Sequence, residues 1–455
     1  MKLTVGGHRR WLARWDPEDE SFWATTGRSL ALRNLVLSVC AEHVGFSVWS
    51  LWSVLVLFLG PQTGFPFDAG QKFLLVTAPT LVGGLLRLPY GRAVTRFGGR
   101  DWTVLSSLLL LVPTVLAAVL VHAPGTPFWV FLLVAACAGV GGGGFASSMA
   151  NVNLLFPRRE KGWALGLNAG GGNIGVAVVQ LVGLLVLSTA GAASPVYIVA
   201  FYLPCVAAVA VAAALGMDNV PGLGPQGPAQ WQAVREPHTW GLSLLYVGTF
   251  GSFIGFSFAF GLVLQTQFGF GAAQAASLTF LGPLLGSLAR PLGGRFADRW
   301  GGARVTLVSF LVMAIGAALL LVASFAQLFS LFLATFVALF VFTGMGNGST
   351  YAMIPAVFAE RARRRIAGGA EPEAQLAESR SLASAVISIS GSVGAVGGVL
   401  INLAFRASYG GAAHSGGPAF AAFLACYAVC VLLIATVYLR PAASAVRSEL
   451  ETVAS

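Results

Sequence analysis

The chain has 455 residues, of which 56% are hydrophobic and only 10% charged, with a mean hydropathy of +0.79. Soluble domains carry about 25% charged residues, so this composition excludes a soluble enzyme, a nucleic-acid-binding protein and a disordered chain. The formal net charge of +10 is read as Lys and Arg gathered in cytoplasmic loops rather than as a surface for a polyanion.

Basic residues from Lys2 to Arg14 open the chain and are followed by the polar run WDPEDE at 15–20. No cleavable signal is expected there, and the first helix itself directs insertion. Apolar runs between charge clusters then predict twelve spanning helices, at 31–59, 71–96, 102–122, 127–156, 160–188, 194–216, 239–268, 271–297, 303–325, 327–358, 379–405 and 418–439. The organisation expected is a cytoplasmic segment at 1–30, a six-helix half at 31–216, a Pro/Gly-rich flexible linker at 217–238, a second half at 239–440 and a tail at 441–455. Arg9, Arg10, Arg14, Arg28, Arg96, Arg100, Arg158, Arg159, Lys161, Arg299, Arg304 and Arg361 to Arg365 fall in one set of loops, against Lys72 and Arg406 in the other. That asymmetry places both termini in the cytoplasm. The acid- and base-rich stretch 359–380 reads as a solvated cytoplasmic linker.

A repeat supports the count. RLPYGRAVTRFGGR at 87–100 aligns with RPLGGRFADRWGGA at 290–303, so a constant offset of 203 carries Arg87 to Arg290, Gly91 to Gly294, Arg92 to Arg295, Arg96 to Arg299 and Gly98-Gly99 to Gly301-Gly302. The same offset carries Gly141 to Gly344 and Gly143 to Gly346. The fold class expected is an all-α membrane protein of 12 transmembrane helices, in two six-helix halves around a central pocket, as in secondary transporters. The five cysteines lie in apolar stretches without metal-ligand spacing. No metal site, catalytic cluster or cofactor is expected.

Four ionisable residues stand deep in predicted spans: Glu42, His43, Arg87 and Arg290. A charge at the bilayer centre costs roughly 2.5–3.5 kcal/mol on insertion scales, so such residues normally face the interior and act there. Arg87 precedes the turn at Phe97 by ten residues, which sets it about 15 Å into the membrane at the helical rise. Arg290 stands at the matching place before Trp300. Two facing guanidinium groups repel unless an anion sits between them, and their planar donors suit a planar oxyanion. Aromatic residues fill the same depth: Phe46, Trp49 and Trp52, Phe145, and Tyr246, Phe250 and Phe253. Tyr246 and Phe250 lie one turn apart and can line one wall.

Glycine runs mark two first-half helices, GVGGGGFASSMANVNLLFP at 139–157 and ALGLNAGGGNIGV at 164–176. Both contain G-x-G-x-x-G, but no strand precedes them, so they are not read as a dinucleotide fingerprint. They are read as small-residue packing faces with Asn151, Asn168 and Asn173 interspersed as anion donors.

GGRFADRWGG at 293–302 resembles the loop signature of the major facilitator superfamily. The resemblance implies a cytoplasmic latch formed by Asp298 with Arg295 and Arg299. The first copy has Thr95 where the second has Asp298, which leaves its latch in doubt. FASSMAN…FP with ALGLNAGGGNIGV, LLYVGTFGSFIGFS at 244–257 and TGMGNGSTYAMIP at 343–355 resemble the signatures of the nitrate/nitrite porters within that superfamily, along nearly the whole chain from WDPEDESFW at 15–23. The resemblance implies nitrate held between Arg87 and Arg290, hydrogen-bonded by Asn173 and Tyr246 and walled by Phe145, Phe250 and Phe46. Gly141, Gly143 and Gly144, Gly170, Gly171 and Gly172, and Gly344, Gly346 and Gly348 would let helices bend or slide during switching. It further implies nitrate and nitrite as exchanged substrates, no cofactor, no nucleic-acid partner, and a monomer in the lipid bilayer of the bacterial cytoplasmic membrane.

Glu42 departs from that pattern, which is apolar at this position. An ionised Glu42 beside an arginine would neutralise the empty site and permit return without substrate, giving proton-coupled symport, with His43 as its neutral neighbour. A helix–helix contact away from the path is the competing reading. An anion channel is the third alternative, disfavoured by the duplicated layout.

Overall fold

The computed structural model describes residues 11–12, 14–191, 194–221, 227–411 and 415–439. Lys2, Arg9 and Arg10, most of the Pro/Gly-rich stretch (222–226) and the tail 441–455 lie outside the described residues. Among the described residues, twelve helices are long and apolar enough to cross a membrane: α1 (Glu20–Phe58), α2 (Ala69–Phe97), α3 (Gly99–Leu120), α4 (Phe128–Leu155), α5 (Arg159–Thr189), α6 (Val196–Gly216), α7 (Pro237–Phe268), α8 (Ala272–Trp300), α9 (Gly302–Phe325), α10 (Phe329–Ala367), α11 (Pro372–Gly410) and α12 (Gly417–Leu439). Among the described residues the only extended pairing is an isolated bridge between Trp11 and Asn219. The chain is a multi-pass, all-helical membrane protein.

Helix starts follow capping chemistry. Asp68 Oδ1 accepts from Gln71 N at 2.7 Å while Gln71 Oε1 accepts from Asp68 N at 3.1 Å, a reciprocal cap that opens α2. The stops obey the repeat. α2 ends at Gly98 with φ +90° and α8 ends at Gly301 with φ +87°, a left-handed conformation that a Cβ disfavours. The helix crossings repeat as well. A Cβ at Gly83 would come within 3.1 Å of the Gly142 Cα where α2 crosses α4, and one at Gly344 would lie 2.0 Å from the Gly286 carbonyl where α10 crosses α8. Gly83 and Gly286 are themselves related by the offset of 203.

Three predicted boundaries change. α1 begins at Glu20, eleven residues before the apolar run at 31. α10 continues to Ala367 and α11 begins at Pro372, so the stretch 359–380 is mostly helix rather than a solvated linker. Glu371 caps α11, accepting from Glu373 N at 3.1 Å and Ala374 N at 2.7 Å, and Arg364 Nε donates to Glu360 Oε1 at 3.0 Å. Polar i,i+4 pairs and caps extend helices past the apolar core, which a search for apolar runs does not register. The linker is likewise part-structured: it contains a short helix, Gly227–Arg235, and Leu12 N donates to Asn219 O at 2.9 Å.

The face at which α1 begins and α12 ends is laced by ion pairs that tie each half to the segments flanking it. Arg33 pairs with Asp218 and Arg361 with Glu236, and Arg159 meets Glu20 at 3.1 Å. Asn219 Oδ1 accepts from Arg100 N at 2.9 Å, while Arg100 Nη2 reaches the Ala214 carbonyl at 2.8 Å. The start of α3 is thereby tied to the end of α6. Toward the opposite face the two halves meet directly: Phe73 of α2 stacks on Tyr409 of α11 at 5.8 Å and 4°, and Gln265 of α7 donates to the Leu57 carbonyl of α1 at 3.5 Å.

Candidate functional site

α2 and α8 deliver Arg87 and Arg290 to one aromatic ring. The Arg87 guanidinium carbon lies 4.7 Å from the Phe145 centroid and that of Arg290 lies 5.9 Å from it. Arg87 is 1% exposed and Arg290 6%. The arginines, one from each half, thus converge in the interior.

The walls are a run of near-parallel rings across both halves. Phe46 of α1 stacks on Phe145 of α4 at 6.1 Å and 21°, Phe145 on Phe250 of α7 at 6.3 Å and 25°, and Phe250 on Tyr246 at 5.1 Å and 2°. Arg87 also sits 4.7 Å from the Phe250 ring and 5.6 Å from Trp49. A π-helical turn at Val247–Gly251 interrupts α7 between Tyr246 and the next regular helix. Such wide turns occur mostly as single insertions in α-helices and are frequent at functional sites; the described residues hold two others, at Trp23–Gly27 and Ile434–Leu439.

The polar contacts of the two arginines differ. Arg87 Nε donates to the Gly142 carbonyl at 3.2 Å and Nη1 to the Gly391 carbonyl of α11 at 2.6 Å. Arg290 Nη2 donates to the Tyr246 hydroxyl at 3.3 Å. Arg87 Nη2 and Arg290 Nη1 are buried without a hydrogen-bond partner. Among the described residues, no carboxylate lies within ion-pair distance of either guanidinium. Two buried cations with donors in reserve leave hydrogen-bonding capacity that the protein itself does not satisfy.

Asn173 of α5 is fully buried, and neither amide atom has a partner. It forms no hydrogen bond to either arginine. Asn168 and Asn151 are engaged elsewhere: Asn168 Nδ2 donates to Glu42 Oε2 at 2.6 Å and Asn151 Nδ2 to Ser38 Oγ at 3.5 Å. Glu42 therefore meets an amide, and no ion pair joins it to Arg87 or Arg290 among the described residues. His43 Nδ1 lies 3.1 Å from the Gly171 carbonyl.

Of the glycines singled out, Gly141, Gly143, Gly171, Gly172, Gly344, Gly346 and Gly348 are packed so closely that a Cβ would meet a neighbour within 3.0 Å, whereas Gly144 and Gly170 have nothing within 4 Å. Arg295, Asp298 and Arg299 are exposed and form no ion pair among the described residues; Arg299 lies 5.8 Å from its neighbour Trp300. Thr95 bonds back to Arg92 O at 2.8 Å.

Sequence reasoning missed Tyr351. Its ring lies 4.6 Å from Tyr246 and 5.4 Å from the Arg290 guanidinium, with its hydroxyl 3.2 Å from where a Cβ of Gly391 would stand. The available signal was its place inside TGMGNGSTYAMIP at 343–355. The carbonyls of Gly142 and Gly391 carry no side-chain signal at all.

The Major Facilitator Superfamily model matches residues 37–370. The nitrate/nitrite transporter NarU of Salmonella typhimurium is 40% identical over 453 residues, covering 95% of this chain and 96% of that one. The probable nitrate/nitrite antiporter NarK2 of Thermus thermophilus is 36% identical over 376 residues, covering 77% and 84%. In fold alone, the crystal structure of a D-xylose-proton symporter superposes with a TM-score of 0.64 at 16% identity, covering 90% of this chain and 97% of that one. With a duplicated twelve-helix architecture and two arginines at its centre, the chain belongs to the nitrate/nitrite porter family of the major facilitator superfamily, a family of transporters and not of enzymes.

Proposed function

We propose that this protein carries nitrate across the bacterial cytoplasmic membrane by alternating access, exchanging it for nitrite, with the anion held between Arg87 and Arg290. The observation that carries this reading is the pair of buried guanidinium groups on one ring, each with an unpartnered Nη and neither with a carboxylate. Keeping an uncompensated ion away from water costs several kcal/mol, and an anion between the two offsets that cost. Loaded halves therefore close more readily than empty ones, which is the energetic basis of exchange. Nitrate and nitrite share one charge and coplanar oxygens, so a slot of near-parallel rings suits both. Sulfate, tetrahedral and doubly charged, fits it poorly.

In this mechanism Tyr246 holds the Arg290 fork, Phe145, Phe250 and Phe46 form the walls, and Asn173 offers a free amide once the anion arrives. The halves 31–216 and 239–440 rock about the site, joined by 217–238, with both termini in the cytoplasm and one chain sufficient. Gly141, Gly143, Gly144, Gly170, Gly171, Gly172, Gly344, Gly346 and Gly348 supply the sliding surfaces, and Asp298 with the flanking Arg295 and Arg299 pairs across the cytoplasmic helix ends to latch one state. Counterflow of labelled nitrate into proteoliposomes loaded with nitrite tests the reading: wild type exchanges saturably, and a wild-type rate retained by Arg87→Ala or Arg290→Ala refutes it. Proton symport through Glu42 is the second reading, favoured by one observation, a carboxylate buried in the N-terminal half without a cationic partner.

A further inference from the structure

We infer that Asn347 of α10 is a specificity residue of the carrier: its amide donates to the third oxygen of nitrate, the one that nitrite lacks, and so sets the preference between the two anions. The inference rests on the anion site proposed above.

Asn347 is fully buried, and neither its Nδ2 nor its Oδ1 has a hydrogen-bond partner among the described residues. Its direction follows from its neighbours on α10, each of which marks one side of the helix. Gly344 and Gly348 face α8, where a Cβ would lie 2.0 Å from the Gly286 carbonyl and 2.2 Å from that of Arg290. Ser349 faces α9, with its Oγ 2.7 Å from Thr306 Oγ1. Gly346 faces between α9 and α7, where a Cβ would stand 3.6 Å from Ser309 Cβ and 2.6 Å from Thr249 Cγ2. At 3.6 residues per turn, the sector left between α7 and α8 falls to positions 347 and 351. Tyr351 fills it, its ring 4.6 Å from Tyr246 of α7 and 5.4 Å from the Arg290 guanidinium of α8. Residues four apart share a helix face. The Asn347 amide is therefore aimed into the space between α7 and α8 that Arg290 enters.

Asparagines that serve packing in this protein have partners. Asn34 donates to the Leu30 carbonyl at 2.8 Å and accepts from Asp218 N at 2.9 Å, and Asn168 is committed to Glu42. Burying an amide unpaired is costly, and a leucine would fill the same space without that cost. The Asn347 amide thus serves a group that arrives with the substrate. Asn402 of α11 is unpaired as well, but it stands eleven residues beyond Gly391, about 16 Å along the helix from the carbonyl that holds Arg87. Nitrate and nitrite share two oxygens, and the free Nη donors of Arg87 and Arg290, one from each half, can take one each, with Asn173 on a second lone pair. Nitrate then has one oxygen more, and Asn347 is the amide that α10 supplies for it. With nitrite bound, that amide stays unpaired. A site built to hydrogen-bond a group disfavours the analogue that lacks it for this reason.

The test measures half-saturating nitrate and half-saturating nitrite for exchange in proteoliposomes of the full chain, and the thermal stabilisation that each anion gives the purified protein in detergent. Asn347→Leu replaces the amide by an apolar side chain of similar size. It is expected to raise the half-saturating nitrate concentration roughly ten- to a hundredfold while moving the nitrite value less than about twofold. Asn347→Ala removes the amide by truncation alone and shifts the ratio the same way, so it stands in should leucine not fit. An amide with only a packing role would move both anions together or neither. An unchanged nitrate-to-nitrite ratio overturns the inference, whether read from exchange or, where a variant folds without exchanging, from its stabilisation by the two anions. Wild type that neither exchanges nitrate nor is stabilised by it overturns the anion site itself instead.

Discussion

Arg87 and Arg290 sit at equivalent places in the repeat but are held differently. Arg87 is fixed by two carbonyls, Gly142 and Gly391, whereas Arg290 leans on the Tyr246 hydroxyl alone. Arg87 is thus a positioned fork that already bridges the halves, and Arg290 is the more adjustable partner. Lysine keeps the charge but lacks the planar donors. Hydrogen bonds to charged groups contribute about 1.5–3 kcal/mol, so Arg290→Lys should weaken nitrate binding by roughly ten- to a hundredfold, read as the nitrate concentration that half-saturates counterflow. Tyr246→Phe keeps the ring stacked on Phe250 and removes only the hydroxyl. A neutral hydrogen bond contributes about 0.5–1.5 kcal/mol, so about a two- to tenfold loss of affinity is expected in the same assay. The arginines were legible because charge at depth is rare and depth can be counted from a turn. Tyr351 was not, since an aromatic in a spanning helix gives no sign of which way it faces. Asn168 looked like an anion donor by its glycine-rich company, yet its amide is committed to Glu42, a pairing between α1 and α5 that only packing decides.

Glycine in these helices has two roles that sequence cannot separate. Gly344 stands where a methyl group would lie 2.0 Å from the Gly286 carbonyl, whereas Gly144 has open space around it. Backbone cannot yield as a side-chain tip can, so Gly344→Ala should cost about 1–3 kcal/mol of stability through overpacking. Gly144→Ala meets no neighbour, and alanine's helix propensity exceeds glycine's by about 1 kcal/mol. Thermal unfolding of the two variants in one detergent should therefore show Gly344→Ala melting below wild type and Gly144→Ala at or above it. The reverse order would mean that the crossing of α8 and α10 is not as described. Helix number and the glycine stops at Gly98 and Gly301 were legible from apolar runs and from the repeat. The helical extensions beyond 358 and before 379 were not, because there Arg364–Glu360 pairing and the Glu371 cap replace hydrophobicity as the stabilising term.

At the scale of the molecule, duplication puts the two arginines on the seam between halves, and the seam is closed on the face opposite the start of α1 and the end of α12. α2 and α11 meet along it: a Cβ at Gly84 would touch that of Ala395 at 3.0 Å, and one at Gly398 would lie 3.0 Å from Thr80 Cγ2. Thr80 is seven residues from Arg87, about 10 Å along the helix toward the closed face. If the halves part there to admit the anion, a covalent bond across this crossing must stop turnover while leaving the site intact. Disulfides need Cβ atoms about 3.5–4.5 Å apart, a separation the 80/398 pair can meet. Thr80→Cys with Gly398→Cys should exchange nitrate when reduced, lose exchange on oxidation and regain it with a thiol reductant, while each single variant is indifferent to oxidant. Full-rate exchange by a chain shown to be cross-linked would mean that this seam does not open, and that the anion reaches Arg87 and Arg290 by some path other than separation of the two halves.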